Sequence, residues 1–267
     1  MSPWERLLES PRGHFVQIYE TGAASLNLSN VGIYLRAGLR RGDGALAVTS
    51  REQWESFCRE LDRSGVDVQA ALRSRQLVFC EDRETLARFM VGGEPHWRRF
   101  EEAIGAAMRT VQPANGNKGL RVYGDMVGFL WKARQFSAAI RLEQLWNKLL
   151  EQSSFSLYCR YGLDAFGEDF QAGDFEGILC THTHLIPAQA DGNLEASLKA
   201  AMEEILGPRA SAARNGARAD RQPSWAIMPN GEAILVWLRN NLPGQAAQIM
   251  ARARYHYGLL SSEPQPN

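Results

Sequence analysis

Asp125 follows the apolar run Leu120, Val122, Tyr123, which Gly124 closes. The run reads as a strand, and in open α/β sheets ligands bind just beyond the carboxyl ends of strands. A carboxylate there can contact a ligand or cap the helix that follows. A second group is Cys180, His182 and His184, three residues of metal-ligand type at alternate positions. On one strand face, neighbours in this set would lie ~7 Å apart, within reach of one ion, but the outer two ~13 Å apart. No further ligand cluster accompanies them in the sequence. No metal is therefore assigned, and His182 and His184 stay weak candidates. A third stretch is Thr21-Gly22-Ala23-Ala24-Ser25, between a strand-like and a helix-like segment. A phosphate loop in that place needs Gly-Lys-Ser/Thr, and the chain has no lysine before Lys118. An ordinary magnesium–ATP site is not expected, although a helix amino terminus can still hold an anion. There is no Gly-x-Ser-x-Gly elbow and no cysteine with a histidine partner in sequence, so no catalytic residue and no cofactor are read.

The elements that must position these residues follow from periodicity. Alternation and short apolar runs mark strands at 15–19, 45–49, 76–80, 120–124, 155–160 and 178–186. Spacings of three and four mark helices between them. Leu142, Leu145, Trp146 and Leu149 form one such face, and Trp54, Phe57, Cys58 and Leu61 another. Ser50 and Gln53 form a capping-box signature. Glu143 and Asn147 lie four apart on one helical face, where they can pair with each other. Residues 1–12 read as a short arm, with Pro3 and Pro11 limiting regular structure. Strands alternating with helices predict a mainly parallel sheet covered on both faces. After Pro187 the pattern changes. Residues 191–207 contain a helix, 208–223 read as a small, polar, basic linker or loop, and 224–258 as a helical pair.

Composition narrows the function classes. The chain has 267 residues, with 30 lysines and arginines against 30 aspartates and glutamates, so no global field favours nucleic acid or an anionic membrane. No apolar run reaches membrane-spanning length. Four widely spaced cysteines without a CxxC pair read as free thiols of a reducing compartment. The expectation is a soluble, cytoplasmic protein.

Several segments, taken in order, resemble a known family. They are GHFVQIYE, AGLRRGDGALAVTS, SGVDV followed by RQLVF, RFMVGGEP, RVYGDMV, and AAIRLEQLWNKLLEQSSFSLYCRYGLDAF. Together they are similar to the MEDS domain, the methanogen/methylotroph, DcmR sensory domain, over about residues 12–187, within a domain drawn at 12–190. That family is regarded as a divergent relative of KaiC and RecA ATPases that has lost the phosphate loop. The resemblance implies a RecA-like three-layer α/β domain, here with a C-terminal helical appendage. It also implies a non-enzymatic sensory role in bacterial or archaeal signal transduction or transcriptional regulation. Its ligands would be small molecules, hydrocarbon derivatives among them.

The resemblance places ligand-binding residues at His14, Tyr19, Asp125, Glu143 and Asn147. Asp125 stands where the family pattern carries glutamate, which sets the carboxylate back by one methylene. Output would pass through a partner protein or self-association. Two other readings stay open: a degenerate KaiC-like nucleotide-binding protein or weak ATPase, and a structural protein-interaction module.

Overall fold

In β2 (Gly44–Thr49) the run Ala45-Leu46-Ala47-Val48 is wholly buried on both faces, as a central parallel strand requires. The computed structural model describes residues 3–20, 28–116, 119–164, 166, 177–178, 180–186, 191–219 and 230–262. The phosphate-loop position at 21–25 lies outside these residues. The chain divides into two compact units. One is Met1–Tyr19, Ala23–Gly162 and Thr181–Ile186; the other is Glu20–Gly22, Leu163–Cys180 and Pro187–Asn267.

The first unit is a three-layer α/β structure. Its elements run α1 (Pro3–Glu9), β1 (Gly13–Glu20), α2 (Leu28–Arg41), β2, α3 (Arg51–Arg63), α4 (Val68–Arg73), β3 (Leu77–Glu81) and α5 (Asp82–Phe89). A two-stranded ribbon follows, β4 (Met90–Val91) with β5 (Glu94–Pro95). Then come α6 (Trp97–Thr110), β6 (Leu120–Gly124), α7 (Met126–Lys132), α8 (Phe136–Gln152), β7 (Ser156–Leu163) and β8 (His184–Ile186). Six strands form one parallel sheet in the order β3-β2-β6-β7-β1-β8. β1 and β2 are joined through α2 but separated by β6 and β7. Their carboxyl ends therefore open on a shared edge, where the strand order reverses.

The two faces of the sheet carry different cores. One holds Phe15, Tyr34, Leu35, Ala47, Trp54, Phe57, Tyr123 and Tyr158 under α2 and α3. On the other, Trp146 of α8 meets Phe100 of α6 edge-on at 5.0 Å and Phe155 at 6.2 Å.

Three expectations are corrected. The amino-terminal arm is the helix α1, whose last carbonyls are capped from elsewhere: Arg121 donates to the carbonyls of Leu7 and Leu8, and Arg41 also to Leu8. The strand drawn at 178–186 is only His184–Ile186, because residues 177–178 and 180–181 are helical. Within the linker drawn at 208–223, the described residues form a 3-10 turn, Gly207–Arg209, and the helix Ala210–Ala219, while 220–223 lie outside the described residues. Ala210, Ala213 and Ala217 recur at helical spacing and are buried, so alanine propensity and a small-residue stripe outweigh the polar composition.

The second unit has its own core. Helices Asp191–Leu206, Asn230–Asn241 and Pro243–Ser262 pack with Ala210–Ala219 through Leu198, Met202, Ile234, Leu238, Ile249 and Met250. The two carboxyl-terminal helices thus find within their own chain the surface that short helices need.

Arg121 sets a testable constraint. It is 2% exposed, ion-paired with Asp43 at 3.1 Å, and packed so closely on α2 that a Cβ at Gly38 would lie 2.1 Å from its Cδ. Gly38→Ala should force this side chain out of place and cost about 1–3 kcal/mol, read as a lower urea midpoint with an unchanged slope.

Candidate functional site

Polar residues from five strand ends converge at the carboxyl edge of the first unit. Tyr19 comes from β1, Ser50 and Gln53 from the start of α3, Asp82 and Arg83 from α5, Asp125 from the end of β6 and Arg160 from β7. With Phe129 and Lys132 they line a cavity of about 480 Å³, within the usual size of small-molecule sites. Asp125 is 8% exposed. Its backbone N–H donates to Val48, and its carboxylate accepts from Gln53 Nε2 at 2.8 Å. Its φ of −107° and ψ of 0° fall in the sparsely populated bridge region, and it makes no side-chain cap to α7. Burial pushes its carboxyl up, against the opposing charges of Arg160 and Lys132. Arg160 is 3% exposed and stacks over the Tyr19 ring at 4.4 Å. Its Nε has no hydrogen-bond acceptor among the described residues.

A second polar system lies on the other face of the sheet, against α8. Alternation sends Leu157, Cys159 and Tyr161 of β7 to this face and Ser156, Tyr158 and Arg160 to the opposite one. His14 points the same way from β1 and Glu143 from α8. All of His14, Glu143, Cys159 and His182 are buried, and their ligand-type atoms lie within 4.8 Å of one another. Glu143 receives the Tyr161 hydroxyl at 2.5 Å and stands 3.1 Å from His14 Nε2 and 3.2 Å from His182 Nε2. His14 Nδ1 donates to Asn147 Oδ1 at 2.8 Å, and Asn147 Nδ2 donates to the Thr181 carbonyl at 2.6 Å. Burial, with His182 beside it, holds His14 below its ordinary value despite the pull of Glu143. Burial alone would raise the Glu143 carboxyl, but the two imidazoles outweigh it and hold the group below the usual carboxylate range.

The five residues marked in the sequence thus fall into two places. His14, Glu143 and Asn147 come together in the buried cluster. Tyr19 and Asp125 sit at the edge cavity. His14 and Tyr19 are five residues apart on one strand, ~16 Å, and face opposite sides of the sheet. His182 and His184 also part. Thr183 forms a bend whose hydroxyl donates to the His14 carbonyl at 2.9 Å. This bend turns His182 into the cluster, while His184 stacks on Phe15 at 4.8 Å. Cys180 is exposed. Arg160, Gln53, Asp82, Cys159 and Tyr161 were not marked from sequence. A single charged residue inside the strand 155–161 was the available signal for Arg160.

The family model for the MEthanogen/methylotroph, DcmR Sensory domain (MEDS) matches residues 13–183. The chain belongs to the MEDS family. Both polar systems draw their residues from the matched span. Among curated proteins and among solved structures, nothing matches this MEDS chain.

Asp82 gives the edge cavity of this MEDS domain a pH signature. Burial, then its neighbour Glu81, pushes its carboxyl up to about 6. The folded value exceeds the unfolded one, so the contribution to stability is complete below the unfolded value of ~3.9 and is lost as pH rises through about 6. Asp82→Asn should flatten the fall in thermal midpoint between those values and leave the variant more stable at pH 8. A wild-type-like pH profile would contradict this.

Proposed function

We propose that this MEDS domain is a non-enzymatic sensory module that binds a small polar ligand at the carboxyl edge of its sheet. The observation that carries this reading is Arg160, a buried guanidinium at the cavity whose Nε lacks an acceptor among the described residues. Buried donors of this kind are normally satisfied, and leaving one unmade is costly. A carboxylate or phosphate on the ligand would satisfy it. Arg59, Arg83 and Lys132 also line the cavity, and the Tyr19 and Phe129 rings offer apolar contact. Asp125, held by Gln53, would accept a hydroxyl or amine of the same molecule. An unsubstituted hydrocarbon would leave these charges desolvated and unpaired. An oxidised, acid-bearing derivative fits better.

No helix among the described residues is long and apolar enough to cross a membrane, and the four cysteines are free. Both features support a cytoplasmic sensor, with output through a partner protein or a second copy of the chain.

A panel of small carboxylates, phosphates and nucleotides, read by thermal shift, tests the proposal, since a bound ligand stabilises by mass action. Arg160→Met should abolish the shift given by the best ligand, and Asp125→Asn should reduce its affinity at least ten-fold. A ligand whose shift survives both substitutions binds elsewhere, and the site assignment fails. ATP turnover lost in Asp125→Asn would instead favour a degenerate nucleotide-hydrolysing protein.

A further inference from the structure

The buried cluster against α8 takes no part in the ligand reading above. We propose that His14 Nε2, His182 Nε2, Cys159 Sγ and a carboxylate oxygen of Glu143 bind one zinc-like divalent cation. Metal bonds of ~2.0–2.3 Å in a tetrahedron place neighbouring ligand atoms ~3.3–3.8 Å apart. Here His14 Nε2 and Glu143 Oε2 are 3.1 Å apart, and His182 Nε2 and Glu143 Oε1 are 3.2 Å apart. Cys159 Sγ lies 3.5 Å from His14 Nε2 and 3.7 Å from Glu143 Oε2. Small shifts close this set on a single centre.

The outer contacts point the same way. His14 Nδ1 is engaged by Asn147 at 2.8 Å, and His182 Nδ1 lies 3.1 Å from the Thr181 hydroxyl. Each ring therefore turns its Nε2 inward, the arrangement in which outer hydrogen bonds fix a histidine ligand. Tyr161 anchors one Glu143 oxygen from behind. Two imidazoles, a thiolate and a carboxylate suit zinc or cobalt(II) rather than magnesium or calcium. Four protein ligands leave no open position, so the centre is structural and activates no water. It would join β1, α8, β7 and the bend before β8, and so fix a strand of only three residues, His184–Ile186, to the sheet.

The test uses the full chain, stripped with a chelator and titrated with Zn(II) and with Co(II). One equivalent should bind per chain and raise the thermal midpoint. Cobalt should give a thiolate charge-transfer band and the intense visible bands of a tetrahedral site. Cys159→Ser should lose the charge-transfer band, and Glu143→Gln and His182→Ala should weaken binding at least 100-fold. Asn147→Ala should weaken it about 10–100-fold, and His184→Ala should leave it unchanged. Arg160→Met should keep the cobalt spectrum, which separates this site from the edge cavity. The wild-type spectrum decides even where a variant fails to fold. Absence of stoichiometric uptake, an octahedral cobalt spectrum, an unchanged midpoint with zinc, or equal losses in His184→Ala and His182→Ala would each overturn the proposal.

Discussion

Successive side chains of a strand point to opposite faces, and in β7 this rule separates two polar systems. Cys159 and Tyr161 turn toward α8 and meet Glu143, while Arg160, between them, turns toward Tyr19 and the edge cavity. A one-residue slip of β7 would exchange the two sets and bury Arg160 against Glu143 and the histidines. The register is held on both sides: Arg121 pairs with Ser156 and Gly124 with Cys159 on β6, and Gly13 of β1 donates to the Phe155 carbonyl. A Cβ at Gly124 would stand 3.7 Å from the Trp146 indole, an ordinary contact distance, so this pairing borders the aromatic core. The aromatic core and the polar cluster are thus fixed by the same alignment.

The polar groups inside this fold are stabilised by pairing rather than by exposure. Glu143 is wholly buried, yet a tyrosine hydroxyl, two imidazoles and a thiol surround it. On the opposite face, Tyr34 donates to the Ser156 carbonyl at 2.7 Å and Tyr158 to Gln17 at 2.6 Å. Such networks are costly when half-made and specify one arrangement when complete.

The sheet and its covering helices were legible in the sequence because their signals are local. Apolar runs at 45–49 and 120–124, and the stripe Leu142, Leu145, Trp146, Leu149, each state their own period. Asp125 was legible as an edge residue for the same reason, since a strand end is a local feature. The buried cluster was only half legible. Period two puts His182 with His184, but a bend at Thr183, held by the backbone of a residue 169 positions away, turns them apart. Helix α1 was missed because its caps, Arg41 and Arg121, lie far along the chain. The segment Ala210–Ala219 was missed because its buried stripe is made of alanines, which hydropathy reads weakly beside four arginines in 208–223.

Two buried arginines on the same face of the sheet show how structure separates a scaffold residue from a binding one. Arg121 and Arg160 are 2% and 3% exposed, and each lies against a tyrosine ring, at 4.8 Å and 4.4 Å. Sequence alone treats them alike, as single charges inside apolar strands. Arg121, at the amino end, donates to Asp43 and to three carbonyls from α1 and α2. Its charge is spent on holding elements together. Arg160, at the carboxyl end, keeps an Nε without an acceptor among the described residues, and the strands there turn away into loops and helix starts that line a cavity. A fold can leave a buried guanidinium under-satisfied where the remainder of its core is secure, and such departures from local consistency concentrate where ligands bind. The amino end also holds a cavity of about 480 Å³, lined by Arg41, Asp43 and Arg121, but there the guanidinium already has its acceptors, so it is the carboxyl end that carries the buried donor without one among the described residues.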